Sequence, residues 1–245
     1  MIINPDKFQA IILDKKKSNL TNIPFTIDNQ TIKSVPSVEL LGVHLDDKLN
    51  FNLHISNICR SAANQLNALI RLKSYLSFNA KRVLMNSCII SNFNYCPLVW
   101  IFSAAKSLSK IESLQKRALR FLYNDYSISY EGLLEKSGKV KMSVNTLRNL
   151  CAEIYKTINK LNPEFMNNIF KVKENKRLVR EQYKLNLETP EWNQVTFGAK
   201  SLKVYGSKVW NSLPFHIKTS ENLVQFKSLM KNWNGNSCSC IVCTK

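Results

Sequence analysis

A chain of 245 residues, 44% of them hydrophobic, carries enough apolar surface for one or two buried cores, which excludes a disordered polypeptide. Lys and Arg outnumber Asp and Glu by 35 to 17, and the resulting +18 charge points to a polyanionic partner, nucleic acid before membrane. The most apolar run, Leu98-Val-Trp-Ile-Phe102, falls far short of the ~20 residues a membrane span needs, and Met1-Ile-Ile-Asn-Pro-Asp6 lacks a signal-peptide pattern.

The charge is uneven along the chain. Residues 1–50 hold six basic and six acidic side chains, residues 51–125 ten and two, and residues 126–245 nineteen and nine. The first of these segments is strand-like. Lys7-Phe-Gln-Ala-Ile-Ile-Leu13 reads as a strand, Phe25 to Ile32 as a second with a turn signal at Asp28-Asn29, and Val38 to Leu45 as a third. Gly42 interrupts the third, where a glycine marks a bulge or a close backbone approach. Three short antiparallel strands need something packed on one face, so the chain reads as starting in the middle of a domain.

From Asn52 the period becomes helical. Ile55, Ile58, Ala62, Leu66 and Leu69 share one face, with Arg60, Asn64, Asn67 and Arg71 opposite. Asn79 is a cap for a second helix carrying Val83, Leu84, Cys88 and Ser91, which ends before Pro97. Over Leu108 to Leu122 the residues Ile111, Leu114, Ala118 and Leu122 face a core, while Lys106, Lys110, Arg117 and Arg120 form a stripe on another flank. A stripe at this spacing can meet successive phosphates, or it can be a solvated face. Asn124 to Val140 reads as a linker. Ser143 then caps a long amphipathic helix with Leu147, Leu150, Cys151, Ile154, Ile158 and Leu161 inward, ended by Asn162-Pro163. Residues 164–199 are irregular, with a strand at Tyr183 to Leu187, and helices follow over Ser201 to Leu213 and Glu221 to Trp233.

Several stretches resemble one family. Leu40 to Ile55 is similar to the Leu-Gly-Val/Ile-x-Ile-Asp-x-x-Leu-x-Phe/Trp-x-x-His-Ile signature of reverse transcriptases from jockey-like non-LTR (LINE-type) retrotransposons. Tyr95-Cys-Pro-Leu-Val-Trp100 and Leu114-Gln-Lys-Arg-Ala-Leu-Arg-Phe121 resemble elements of that family's thumb. Phe197 to Pro214, with its Trp-Asn-x-Leu-Pro ending, resembles the region that closes these proteins. The resemblance implies an α+β, mainly α fold: a small antiparallel palm remnant with the primer-grip hairpin (1–50), a helical thumb (51–125) and a helical C-terminal region (126–245).

It also implies the sites. Leu41 and Gly42 form the grip. Arg60, Arg71, Lys106, Lys110, Arg117 and Arg120 face template-primer, an RNA template or RNA–DNA hybrid. Lys7, in Asn4-x-x-Lys7, matches the motif D lysine that assists proton transfer to the leaving pyrophosphate. The family's Ala-Asp-Asp hairpin, which binds the two magnesium ions of the intact polymerase, has no counterpart, and Asp46-Asp47 read as a turn or helix start. No catalytic residue and no cofactor is therefore expected in this chain, and its missing N-terminal polymerase portion is an expected partner.

Seven cysteines suit a reduced, intracellular protein, with Cys59, Cys88, Cys96 and Cys151 as buried thiols in helical patterns. In the tail, Cys238, Cys240 and Cys243 read either as zinc ligands, with His216 or solvent as the fourth, or as free thiols. Two function classes stand: a polymerase fragment that binds nucleic acid without copying it, and a non-enzymatic helical module for nucleic-acid or protein binding, with or without zinc.

Overall fold

The computed structural model describes residues 8–13, 21–27, 30–174, 185–193, 198 and 201–233. It is mainly helical with two small antiparallel hairpins, the expected α+β class. Contacts gather the chain into two compact units, Met1–Asn124 and Asp125–Lys245.

In the first unit Pro24–Ile27 (β1) pairs with Gln30–Lys33 (β2), and Ser37–Leu40 (β3) pairs with Val43–Asp46 (β4). Reading 25–32 and 38–45 as single strands is therefore wrong, because each run folds back on itself. The break in the second is Leu41-Gly42, with φ of 48° and 78°. Two positive φ values in a two-residue loop give the turn whose twist suits a hairpin. Gly42 thus serves a turn rather than a bulge. Residues 8–13 form no strand, and Ala10 makes an isolated bridge to Ser34.

Helix α1, Asn52–Arg71, buries Ile55, Ala62, Leu66 and Leu69 as its periodicity predicts, with Cys59 also buried and Ile58 only half-buried, and exposes Arg60, Asn64, Asn67 and Arg71. Helix α2, Phe78–Leu84, is capped by Ser77, whose Oγ accepts from Ala80 N at 3.3 Å; Asn79 lies inside it. A wide π-helical turn, Met85–Ile90, links α2 to α3, Ser91–Asn94. Met85, Ile89 and Phe93 are fully buried while Val83 is 61% exposed, so the expected Val83-centred stripe is corrected. The wide turn carries more residues per turn than an α-helix, which a reading at 3.6 residues misses. Pro97–Trp100 forms α4, and Ala105–Tyr123 forms α5, which buries Ile111, Leu114, Ala118, Leu119 and Leu122 and packs along α1 and against α2. Cys59 and Cys151 are buried thiols as expected. Cys88 is half-buried, and Cys96 is exposed in a left-handed conformation before Pro97.

In the second unit the stretch read as a linker contains a helix, α6, Tyr130–Ser137. Ser129 caps it, and Gly138 (φ 62°) closes it with bonds from Gly138 N to Glu135 O and Lys139 N to Leu134 O. Helix α7, Met142–Ile158, starts after Lys141 rather than Ser143, and Leu161 lies beyond its end, 59% exposed. Val172 and Leu187 form an isolated bridge where a strand was expected. Helices α8 (Leu202–Asn211), α9 (Phe215–Lys218) and α10 (Leu223–Met230) follow, with Ser201 and Asn222 capping α8 and α10. Helices α8 and α10 pack on α7 around Tyr155, Phe226 and Trp210, with ring centroids 4.5 Å (Tyr155–Phe226) and 5.9 Å (Trp210–Phe226) apart.

Candidate nucleic-acid interface

Several residues of the 40–55 motif have local tasks that join the β3–β4 hairpin to α1. The Asp46 carboxylate accepts from the backbone N–H groups of Lys48 (3.1 Å), Asn50 (3.1 Å) and Phe51 (2.6 Å), folding the loop into α1. Phe51 sits left-handed at the head of α1 and is buried. Buried His54 accepts from His44 N through Nδ1 at 3.4 Å, which ties β4 to α1. Burial, then the neighbouring His44, pushes the His54 imidazole below its usual pKa, so it stays neutral as an acceptor must. Asp46 is thus a loop cap, as the sequence indicated.

The turn itself is fixed from a third element. Tyr95 Oη donates to Leu41 O at 2.5 Å, and a Cβ on Gly42 would lie 3.6 Å from Tyr95 Cε1. Trp100 Nε1 donates in turn to Tyr95 O at 3.3 Å. The aromatic ends of the Tyr95–Trp100 motif therefore support the tip of the 37–46 hairpin. Leu41 is 83% exposed at that tip.

The basic residues sort into two sets. Arg60 from α1 and Lys110 and Arg117 from α5 line a shallow groove of about 410 Å³ between the two helices. Ser56, Ser109 and Ser113 also line it, and Cys59 and Leu114 form part of its wall. Burial pushes the Cys59 thiol up to about 11, against the opposing pull of Lys110, so it stays protonated. Arg117 Nη2 donates to Asn67 Oδ1 at 3.0 Å, which orients the guanidinium across the groove. These three cations take no part in the ion pairs found among the described residues. Arg71, in the last turn of α1, and Lys106, in the first turn of α5, are exposed but do not line the groove. Arg120 departs from the expected solvent-facing stripe: it is half-buried, its Nε is withdrawn from solvent without a partner, and it too does not line the groove. The groove serines, the Arg117–Asn67 bond and the Tyr95–Leu41 contact escaped the sequence reading, because only spatial neighbours reveal them.

Lys7, Cys238, Cys240 and Cys243 lie outside the described residues. Among the described residues no cluster of three or more His, Cys, Asp or Glu could hold a metal, and no helix is long and apolar enough to cross a membrane.

The Trp-Asn-x-Leu-Pro motif is structural. Trp210 Nε1 donates to Leu185 O at 2.9 Å, and Asn211 brackets Leu187, accepting from its N–H at 2.7 Å and donating to its carbonyl at 3.0 Å. Lys218 Nζ donates to Asn186 Oδ1 at 2.8 Å and Asn211 O at 3.2 Å, and burial pushes its pKa down to about 8.

Among curated proteins, "Probable RNA-directed DNA polymerase from transposon BS" of Drosophila melanogaster is 26% identical over 121 residues. The chain is similar to part of a reverse transcriptase. The match covers 48% of this chain and 13% of the fly protein. No family model and no solved structure matches.

Proposed function

We propose that this chain is the C-terminal part of a non-LTR, jockey-like reverse transcriptase, comprising primer-grip hairpin, thumb and terminal region. In this reading it binds the template-primer duplex for an RNA-directed DNA polymerase whose metal-binding aspartates lie in a preceding portion. The observation that carries the reading is a juxtaposition within one unit. A hairpin turn at Leu41-Gly42 is held out by Tyr95, and α1 and α5 of the same unit present Arg60, Lys110 and Arg117 in one groove. Such a groove suits a nucleic-acid backbone: cations neutralise phosphates and release counterions, and contacts to phosphates carry no sequence information.

Copying requires carboxylates that hold two metal ions, and Asp46 is committed to three backbone donors. The chain alone therefore binds an RNA–DNA hybrid and does not extend it. The test pairs a binding titration with a primer-extension assay in magnesium. Binding without incorporation is the expected result. Incorporation above a no-protein control would contradict the assignment of catalysis to the preceding portion, and absence of binding would favour the reading as a protein-binding module.

A further inference from the structure

The groove between α1 and α5 holds more than positive charge. Two exposed serines on α5, one turn apart, line it beside the cations. Ser109 Oγ donates to Lys106 O at 2.9 Å, and Ser113 Oγ donates to Ser109 O, also at 2.9 Å. Both hydroxyl protons are thus committed to the helix backbone, in the manner common for serine within helices. What remains free on each oxygen is lone-pair density. In the groove, these two hydroxyls are acceptors.

That sets a condition on the ligand. Phosphate oxygens satisfy Arg60, Lys110 and Arg117 but offer nothing to an acceptor. The sugar–phosphate backbone of DNA carries no donor. An RNA backbone carries one per nucleotide, the 2′-hydroxyl, which is the group by which proteins tell the two apart. Resting on the proposed thumb reading, we infer that this groove takes the RNA strand of the bound hybrid, with Ser109 and Ser113 as its specificity-determining residues and the three cations holding the phosphates on either side. The groove then discriminates strands by sugar chemistry while remaining indifferent to base sequence.

The test uses the full chain and two RNA–DNA hybrids of one sequence. In one the RNA strand carries its 2′-hydroxyls; in the other it carries 2′-fluorine, which keeps an A-like strand and removes the donor. Binding to the hydroxyl form should be about tenfold tighter, as two modest hydrogen bonds allow. Ser109→Ala with Ser113→Ala should erase that difference and leave binding to the fluorinated hybrid unchanged. Alanine is the better helix former, so α5 keeps its structure. Salt-dependent binding with equal affinity for the two hybrids would overturn the inference and leave the thumb reading standing. A preference that survives the double substitution would also overturn it, by placing the sugar contact elsewhere. Failure to bind either hybrid in a salt-dependent way would overturn both.

Discussion

Tyr95 reaches across 54 residues of sequence to donate its hydroxyl to the carbonyl of Leu41. That single bond joins the 40–55 and 95–100 stretches, and it explains why an aromatic with a donor stands at position 95. Tyr95→Phe keeps the ring against Gly42 and removes only the donor. Because the carbonyl is solvent-accessible at the tip, the loss should be about 0.5 kcal/mol in global stability, with faster amide exchange confined to residues 38–45. Unchanged exchange in that hairpin would mean the bond does not hold the turn.

The turn also carries a strain that a substitution can relieve. Leu41 has φ of 48°, a conformation that costs a leucine more than it costs asparagine. Leu41→Asn should stabilise the chain by about 0.5–1 kcal/mol in thermal or urea unfolding. A loss of stability would contradict the assignment of the strain.

A close approach decides the third prediction. A Cβ on Gly206 would meet Phe170 Cε1 and Cζ at 2.9 Å and Ile154 Cδ1 at 3.2 Å. Gly206→Ala gains ~1 kcal/mol of helix propensity but overpacks a buried ring, at a cost of roughly 1–3 kcal/mol. The net expectation is a loss of about 1 kcal/mol, read from the denaturant midpoint. A gain would show that Phe170 yields freely.

Lys218 provides a pH signature. Burial holds its folded pKa at about 8, below the ordinary 10.5. Between those values the unfolded chain binds the proton and the folded chain does not, so stability rises as pH climbs through that window. Below pH 8 the cost of the buried ammonium is fully present. The rise should be on the order of 2 kcal/mol and should be missing from Lys218→Met, which removes the titrating group. Comparing wild type and variant at pH 7.5 and 10 cancels the other groups that titrate there.

How much of this was legible beforehand depends on the physics behind each signal. Three-four apolar spacing located α1, α5 and α7, because their buried faces are continuous. It failed between Val83 and Ser91, where a π-helical turn changes the number of residues per turn. It also passed over α6, whose eight residues bury Leu133 and Leu134 but whose Gly132, with Gly138 just beyond its end, imitates a linker. Gly42 was singled out as a bulge or a close backbone approach, and the turn it makes was not, since a glycine in an apolar run does not say which way the chain goes. Charge spacing found Arg60, Lys110 and Arg117 on separate helices. Only packing brought them together, and only packing turned Arg120 partly inward.

Whether this groove follows a phosphate backbone is measured directly by a salt series. Binding to an RNA–DNA hybrid should weaken steeply with salt, each phosphate contact contributing about −0.9 to the slope of log K against log salt. Arg60→Gln with Arg117→Gln removes two cations that line the groove from exposed positions. The slope should flatten by up to roughly two units, with the circular dichroism spectrum preserved. A slope that the double substitution leaves unchanged, on a folded protein, would contradict the phosphate-backbone assignment.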